Sequence, residues 1–459
     1  MKLFTLVSAI VLGATTASIA QNPIITHIFT ADPSARVHQG KLFIYPSGDK
    51  VPDEGHVFKD QTAGFCMPGY HVFSLEGGST WKDHGWVLKE NEVPWGVKDM
   101  GAMWAPDCIE KDGKYYYYYP AKATDDVGGK NWRRLGVGVA DNPQGPFKWE
   151  KNYMQGIKRP IAGIDPGILL DDDNQAYMFW RSGDGIGVAP LTDDMKGVKQ
   201  DVITVQGLPY GYKEGPFPFK IGNTYYLSFA HRFPGEEYNI GYATSKKPMG
   251  PYEYRGTLMD SIGKDTNHNS VVYYDGRWIL FYHSWQLSGH NKLRSICADY
   301  MTLNEDGTFN KVTPTLRGIG SPRPGEKIEV DRYNTISGAQ VAFVTGNEPT
   351  GWMVCETKPD SYVTFNEVDF TDGSSTVMQA RVATCGREGS IEVRKDDPQG
   401  DIIASFDIKY TGGWANWTTL ESKMKMPISG KHNICVVFKG VDSSFSIVNL
   451  NWLQVVPAK

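Results

Sequence analysis

One local pattern recurs five times in the first 320 residues: a turn with Gly or Asn, followed by a strand rich in aromatic residues. The copies are GKLFIYPSGD from Gly40, GKYYYYYPA from Gly113, NQAYMFWRSGD from Asn174, GNTYYLSFAH from Gly222 and GRWILFYHSW from Gly276. Residues 21–322 divided among five units give about 60 residues each, room for about four short strands. The repeat therefore predicts a five-bladed β-propeller, with a β-sandwich of accidental self-similarity as the alternative.

Composition agrees with an all-β protein and excludes several other classes. The chain contains 50 Gly and 27 Pro, and 12% of its residues are aromatic, which is typical of short strands joined by tight turns. A formal net charge of −5 disfavours a nucleic-acid partner, since that would require a basic face. Beyond the N-terminus no apolar run approaches the length of a membrane span, and no long helical stripe indicates a bundle.

The N-terminal twenty residues have the pattern of a secretory signal. Lys2 precedes a mostly apolar run over residues 3–14, and small residues stand at Ser18 and Ala20. This order predicts a signal peptide over residues 1–20, cleaved after Ala20, and hence a secreted or periplasmic protein. A buried N-terminal strand or helix is the alternative.

The six cysteines are expected to be buried free thiols. None forms a C-x-x-C pair, so a zinc site or redox motif is not indicated. An exported chain permits disulfides, but their pairing cannot be deduced from sequence.

An acid or imidazole precedes the turn of each repeat by six to nine residues. These residues are Asp32, Asp107, Asp165, Glu214 and His268. The first strand of each propeller blade lines the central axis, so three to five of these side chains are predicted to meet at one mouth of the channel. Carboxyl groups that lie close together raise one another's pKa, which a catalytic acid near neutral pH requires.

The motifs around these residues resemble glycoside hydrolase family 43 over about residues 22–320. They are ADPSARV (31–37), MWAPD (103–107), GIDPGILLDDDNQAYMFW (163–180), KEGPFPFK (213–220) and NHNSVV (267–272). The resemblance implies an inverting glycosidase acting on xylan, arabinoxylan or arabinan. By motif, Asp32 matches the general base, Asp165 the carboxylate that tunes and orients the acid, and Glu214 the general acid. His268 matches a histidine near an axial cation, usually calcium or sodium.

Three other propeller residues have expected roles with an alternative for each. Trp104 is expected to form an apolar wall for a sugar ring, or else to pack between blades. Arg294 matches an arginine that related members place towards the substrate, with a surface salt bridge as the alternative. Asp107 is expected to be structural or substrate-facing rather than catalytic.

The composition changes after Pro322, Pro324 and Gly325, which mark a linker. Alternating segments such as YVTFNEVDF and TVMQARVAT have the period of strands with one buried face and predict a jelly-roll β-sandwich. The predicted organisation is a signal peptide (1–20), a propeller glycosidase domain (21–322) and a C-terminal β-sandwich domain (323–459).

This C-terminal region resembles a family 6 carbohydrate-binding module over nearly all of residues 326–457. The likeness rests on IEVDRYN (328–334), YVTF, TGGWANWTT and VNLNWLQV. It implies that Trp352 and Trp414 clamp a sugar to which Asn449 hydrogen-bonds. It also implies a structural calcium held by Glu329 and Asp331, where the family usually has Glu at the second position. Strand alternation predicts that Trp414 is exposed and Trp417 buried.

The function predicted from the sequence is a secreted inverting glycoside hydrolase that releases arabinofuranosyl or xylosyl units from hemicellulose. Its partner is a plant cell-wall polysaccharide or oligosaccharide. No organic cofactor is expected, and calcium is the ion that the resemblance implies. The alternatives are an arabinanase or galactan exo-hydrolase on the same fold, or a non-catalytic sugar-binding propeller.

Overall fold

The protein is described by a computed structural model that covers residues 22–51, 64–124, 133–157, 161–183, 185–263, 266–347, 352–386 and 388–458. The predicted signal peptide lies outside these residues. The described chain is nearly all β-structure, with one short 3₁₀ helix at Glu90–Glu92. None of its described helices has the length and apolar character needed to cross a membrane.

Five antiparallel sheets follow one another along the chain, and neighbouring strands in each sheet are consecutive in sequence. The first two blades are β1 (Phe29–His38), β2 (Lys41–Asp49), β3 (Gly69–Leu75) and β4 (Trp81–Lys89), then β5 (Asp107–Lys111), β6 (Lys114–Lys122), β7 (Arg133–Ala140) and β8 (Lys148–Trp149). The next two are β9 (Ile164–Leu170), β10 (Ala176–Ser182), β11 (Gly185–Pro190) and β12 (Ile203–Thr204), then β13 (Tyr212–Ile221), β14 (Thr224–His231), β15 (Asn239–Ser245) and β16 (Glu253–Met259). The fifth blade contains β17 (Asn269–Tyr274), β18 (Arg277–Ser284) and β19 (Ser295–Met301). The predicted five-bladed propeller is confirmed.

The start of the described chain closes the ring beside β19. The backbone N–H of Ile24 donates to the carbonyl of Ile296 at 2.7 Å. The side-chain oxygen of Asn22 accepts the N–H of Ala298 at 2.7 Å. The fifth blade is thereby bounded by an N-terminal segment that runs on into β1 of the first blade.

The five aromatic copies of the sequence repeat form the second strand of each blade: β2, β6, β10, β14 and β18. Their rings fill the spaces between blades, as in the first interface, where Tyr45, Tyr70, Tyr117 and Tyr119 are all fully buried. The repeated aromatic residues are therefore the packing material of the ring.

The C-terminal region is a β-sandwich of two sheets. Its strands are β20 (Lys327–Glu329), β21 (Thr335–Ser337), β22 (Gln340–Phe343), β23 (Trp352–Cys355), β24 (Tyr362–Asp369), β25 (Val377–Thr384), β26 (Gly389–Lys395), β27 (Ile402–Asp407), β28 (Gly413–Lys423), β29 (Lys431–Gly440) and β30 (Asn449–Val456). One sheet has the order β22-β23-β30-β25-β28, with β20 beside β30, and the other has the order β21-β24-β29-β26-β27. Buried residues of both sheets, including Phe365, Val436 and Leu450, form one core.

Polar contacts join this sandwich to the propeller. The Arg277 guanidinium lies 2.6 Å from a carboxylate oxygen of Glu367, and the Lys431 ammonium lies 2.8 Å from Asp275. In the linker, the Glu326 carboxylate accepts the hydroxyls of Ser79 (2.6 Å) and Thr80 (2.5 Å) from the first blade. The sandwich therefore packs against the fifth and first blades.

All six cysteines are free thiols. Four are buried, as expected, whereas Cys355 is half-buried and Cys385 is exposed. The expectation of burial is thus wrong for Cys385, which lies in the bend after β25.

Candidate active site

In three blades the first strand carries an acid where its pairing with the second strand is irregular. A proline lies within one or two residues of each acid. The pairing of β1 with β2 shifts register between Ala31 and Ser34, which brackets Asp32 and Pro33. The pairing of β9 with β10 shifts around Asp165, and that of β13 with β14 shifts on both sides of Glu214. Irregularities of this kind bend a strand and change the direction of a side chain, and they are common beside active sites.

The backbone at two of these sites is in the left-handed region. Asp32 has φ +51° and Asp165 has φ +55°, and Gly215, next to Glu214, has φ +67°. Aspartate tolerates this region better than most residues, but the conformation still costs free energy. The Asp-Pro pairs of the first and third blades therefore share one backbone conformation at the acid.

Asp32 is held by a buried arginine and a neutral histidine. Arg294 donates from Nη1 to Oδ1 of Asp32 at 3.1 Å, and the N–H of Asp32 donates to Nδ1 of His283 at 3.2 Å. Burial lowers the pKa of His283 to about 3, so its imidazole is neutral near neutral pH. Burial raises the pKa of Asp32, but the charge of Arg294 outweighs that effect and holds the pKa below its usual value. Asp32 is therefore ionised at neutral pH.

Arg294 is only 2% exposed and reaches Asp32 from a deep ion pair. Its Nε and Nη2 donate to the two carboxylate oxygens of Asp49 at 2.8 and 2.9 Å. Its guanidinium also lies 4.4 Å from the centre of the Phe65 ring. The alternative of a surface salt bridge is therefore wrong, because Asp49 and Asp32 together neutralise Arg294 in the interior.

Asp165 and Glu214 form a second electrostatic group, in which both pKa values are raised. For Asp165 the cause is burial, followed by the charges of Glu214 and Asp32. For Glu214 burial and the charge of Asp32 outweigh Arg181, which donates to Oε2 of Glu214 at 2.7 Å. The side chain of Glu214 is 14% exposed, against 5% for Asp165, so Glu214 is the better placed to meet a ligand. Oδ2 of Asp165 accepts the N–H of Gly215 at 3.0 Å, which ties its position to that of Glu214.

His268 lies against this pair. The N–H of Asn269 donates to its Nδ1 at 3.1 Å, so the ring proton is on Nε2, 3.9 Å from Oδ2 of Asp165. Nε2 is buried and has no hydrogen-bond partner among the described residues. Burial lowers the pKa of His268, so the ring is neutral. A buried donor in this position fits a histidine that bonds a water molecule.

Asp107, the remaining acid of the repeat, is not part of this group. It is 1% exposed and accepts hydrogen bonds from Ser34 (2.5 Å), from Nε of Arg36 (2.9 Å) and from the N–H of Ile168 (2.7 Å). With Arg36 as its ion-pair partner, Asp107 connects the first three blades. Its position is consistent with the expected structural role.

Trp104 is half-buried, and one face of its ring is already covered. The guanidinium carbon of Arg133 lies 3.3 Å from the ring centre. The remaining side of the ring is what a sugar could contact, so the predicted wall for substrate stays a prediction.

The predicted sugar-binding residues of the module do not share one arrangement. Trp352 stacks on Phe343, with ring centres 4.0 Å apart, and is 37% exposed. Trp414 is half-buried rather than exposed, and Trp417 is buried, with its Nε1 donating to the carbonyl of Thr345. Asn449 is buried, and its amide donates to the backbone carbonyl of Trp414 at 3.4 Å.

The acidic pair expected to hold calcium in the module does not form a cation shell. Asp331 is instead an ion-pair partner of Arg332, at 2.9 Å. Within the described ranges, no three His, Cys, Asp or Glu side chains come together in a way that could hold a metal ion. Calcium at Glu329 and Asp331 stays a prediction, and the ion pair with Arg332 is the contact that a bound ion would have to compete with.

Sequence reasoning missed four residues of the site: Asp49, Arg181, Thr266 and His283. Asp49 and Arg181 lie at or near the ends of aromatic second strands, in PSGD and RSGD. A charged residue that closes a strand otherwise filled with aromatic residues is the signal that could have found both. For Thr266, whose hydroxyl accepts from Arg294 at 3.2 Å, the sequence offers no such signal.

The family model described as "Glycosyl hydrolases family 43" matches residues 20–309, and the model described as "Carbohydrate binding module (family 6)" matches residues 325–457. The chain is 35% identical to "Xylosidase/arabinosidase 43A" of Humicola insolens, across 62% of this chain and 97% of that protein. It is 27% identical to "Arabinoxylan arabinofuranohydrolase" of Bacillus subtilis, across 96% of this chain and 94% of that protein.

Solved structures agree with the fold. A β-xylosidase/α-arabinofuranosidase from a compost microbial metagenome, in complex with xylotriose and in calcium-free form, superposes with a TM-score of 0.56 and 33% identity. It covers 65% of this chain and 98% of its own. An arabinoxylan arabinofuranohydrolase from Bacillus subtilis, in complex with cellotetraose, superposes with a TM-score of 0.56 over 96% of this chain and 99% of its own, at 24% identity.

Proposed function

The chain belongs to glycosyl hydrolase family 43 and is therefore a glycosidase, and we propose that it releases arabinofuranosyl or xylosyl units from hemicellulose with inversion at the anomeric carbon. Asp32 is the general base, Glu214 is the general acid, and Asp165 positions the acid and tunes its pKa. The observation that carries this proposal is the opposite direction of the pKa shifts of Asp32 and Glu214 within one buried group.

The base step uses the ionised carboxylate of Asp32. In an inverting mechanism a water molecule lies between the base and the anomeric carbon, and the base takes its proton as the carbon–oxygen bond forms. Arg294 keeps the carboxylate charged and fixed in direction, and His283 holds the backbone of Asp32 by accepting its N–H. Arg294 is also hydrogen-bonded to Asp49, so its position does not depend on the substrate and it is preorganised beside Asp32.

The acid step uses the proton that burial and the charge of Asp32 retain on Glu214. As the glycosidic bond breaks, this proton moves to the departing oxygen, which leaves as a neutral alcohol. Asp165 is fixed by the N–H of Gly215, which ties its position to that of Glu214, and burial with the charge of Glu214 raises its own pKa. The two opposite shifts predict a bell-shaped dependence of kcat/KM on pH, with Asp32 giving the acidic limb and Glu214 the alkaline limb.

The stereochemistry of the first product tests this assignment. Proton NMR of the sugar released from an aryl pentoside, recorded before mutarotation, is expected to show the inverted anomer alone. A retained anomer at the earliest time would mean a covalent intermediate and would contradict a base role for Asp32. A chain that folds but hydrolyses no arabinofuranoside or xyloside would contradict the function itself.

The choice of sugar rests on similarity. Several relatives carry xylosidase, arabinosidase or arabinofuranohydrolase in their names, and both activities appear among them. Product analysis on arabinoxylan, arabinan and xylo-oligosaccharides separates arabinose release from xylose release.

Export and calcium belong to the same proposal. The signal-like residues 1–20 and the sugar-binding module support a secreted enzyme. A cation at the propeller axis would be held through water by His268, whose Nε2 is a buried donor. Such an ion would supply fixed charge, and no proton transfer of the reaction passes through it.

A further inference from the structure

A cavity of about 420 Å³ lies between the fifth blade and the module. Its propeller wall includes Ile262, Gln286 and Leu287, and its module wall includes Tyr333 and Trp352. The volume falls within the range of roughly 300–1,000 Å³ typical of small-molecule sites. The cavity is therefore large enough for a ligand and is built by both parts of the chain.

Large apolar side chains are exposed around this cavity. Leu287 is 47% exposed, Leu316 is 49% exposed and Trp352 is 37% exposed, and all three line it. Phe343, which is 68% exposed, supports Trp352 from behind through a stacked contact. Apolar side chains gathered from separate segments and left open to solvent are typical of ligand-binding surfaces.

The polar groups of the cavity select a neutral ligand. Gln286 and Ser284 supply uncharged hydrogen-bonding groups. The charged lining residues Asp331 and Arg332 form an ion pair with each other at 2.9 Å, so they contribute no net charge. An aromatic face beside amide and hydroxyl groups matches a sugar, whose CH groups pack on rings while its hydroxyls form hydrogen bonds.

Two connections that form the propeller wall of the cavity also carry residues of the catalytic centre. Ile262 belongs to the connection between β16 and β17, which also contains Thr266 and His268. Gln286 and Leu287 belong to the connection between β18 and β19, which ends at Arg294. A ligand in the cavity is thus bound by the two segments that also carry groups around Asp32 and Asp165.

We propose that this cavity is a saccharide-binding site shared by the propeller and the module, which holds part of the polysaccharide chain whose terminal or branching unit is hydrolysed. The inference rests on the proposed function, because the ligand is the same hemicellulose. It places Trp352 in a site completed by the propeller, whereas Trp414 is not among the residues that line the cavity.

The test measures binding of the full chain to soluble arabinoxylan by affinity electrophoresis. Gln286→Ala, Leu287→Arg and Trp352→Ala are each expected to lower the association constant at least about ten-fold, since each removes a contact or fills the space. Tyr410→Ala is the matched control: it truncates a 68% exposed aromatic residue of the module that does not line the cavity. Its affinity is expected to equal that of the parent chain.

Two results would overturn the proposal. One is loss of affinity in Trp414→Ala with unchanged affinity in Gln286→Ala and Leu287→Arg, which would assign the site to the module alone. The other is unchanged affinity in all three cavity variants. Leu287→Arg keeps the test valid if Trp352→Ala unfolds the module, because Leu287 is in a loop and half-exposed. Hydrolysis of an aryl pentoside by the parent chain is measured separately, so failure of the proposed function is distinguished from failure of the cavity site.

Discussion

At the scale of single residues, Asp32 and Glu214 differ in the charges that face them. Asp32 faces the guanidinium of Arg294, whose position is set by Asp49, and it stays ionised. Burial and the charge of Asp32 raise the pKa of Glu214, and the positive charge of Arg181 offsets only part of that rise. The pKa values of two carboxyl groups in one pocket are thus shifted in opposite directions, as acid–base catalysis by a pair of acids requires.

Asp32→Asn and Glu214→Gln are each expected to lower kcat by about 10²–10⁴-fold or more on natural substrates with the fold intact. The two variants should respond differently to the leaving group, because a phenolate leaves without protonation. Glu214→Gln should regain much of its rate on activated aryl glycosides, and Asp32→Asn should not. Equal losses on good and poor leaving groups, measured by steady-state kinetics, would contradict these roles.

Arg181 lowers the pKa of Glu214, so its removal has a predictable sign. In Arg181→Met the pKa of Glu214 is expected to rise, and the alkaline limb of the kcat/KM profile should move to higher pH. The acidic limb, which reports Asp32, should stay in place. Arg181→Lys, which keeps the positive charge, serves as the control, and a shift of the acidic limb instead would mean that Arg181 acts on the base.

At the scale of the strand, catalysis depends on irregularities in otherwise regular hairpins. The first strands of the first, third and fourth blades lose register at Asp32, Asp165 and Glu214. Each irregularity contains a proline, Pro33, Pro166 or Pro216, which removes a backbone donor where pairing is broken. The three acids stand on first strands, and the residues Asp49, Arg181 and His283 that surround them stand at the ends of second strands whose other residues pack the ring.

Gly215→Ala is expected to lower kcat/KM by about 100-fold, because displacements of about 1 Å in an active site have effects of that size. A Cβ at Gly215 would lie 3.0 Å from the His268 ring, at φ +67°, next to Glu214. Gly222→Ala is the matched control: φ is +53°, but no atom lies within 4 Å of the new Cβ. Both variants should lose about 1–2 kcal/mol of stability from the left-handed backbone, while only Gly215→Ala should lose activity. Full activity in Gly215→Ala would show that the packing of His268 on this residue is unimportant.

At the scale of the whole molecule, the propeller and the module are joined by a polar seam beside the fifth blade. The seam contains the Arg277–Glu367 and Lys431–Asp275 ion pairs and the hydrogen bonds of Glu326 to Ser79 and Thr80. The fixed arrangement is what allows one cavity to be lined by both parts of the chain.

Glu326→Ala is expected to destabilise this seam by about 1–3 kcal/mol, the usual range for lost hydrogen bonds to a charged group. Differential scanning calorimetry should show a lower Tm, with the transitions of propeller and module moving apart. Glu305→Ala, which removes an exposed carboxylate of the propeller, is the control and should leave the thermogram unchanged. A thermogram of Glu326→Ala that matches the parent would show that other contacts hold the seam.

Local patterns determined the architecture of this protein. The sequence alone predicted the propeller and the sandwich, because the patterns behind them depend on neighbours within a few residues. These patterns are the five aromatic second strands, the turn glycines and the alternating C-terminal strands. The positions of Asp32, Asp165 and Glu214 in their motifs followed for the same reason: each acid stands at a fixed distance from the turn of its own repeat.

Only the tertiary structure decided which charge each acid faces. Arg294 meets Asp32 across 262 positions of the sequence and Asp49 across 245, so no local pattern could predict that Arg294 is buried. Trp352 is a second example. Its strand identifies it as an aromatic residue of the module, but the cavity that it lines is completed by a loop of the propeller. Strand formation is governed by local propensity, whereas pKa values and shared cavities depend on groups that the fold brings together from distant parts of the chain.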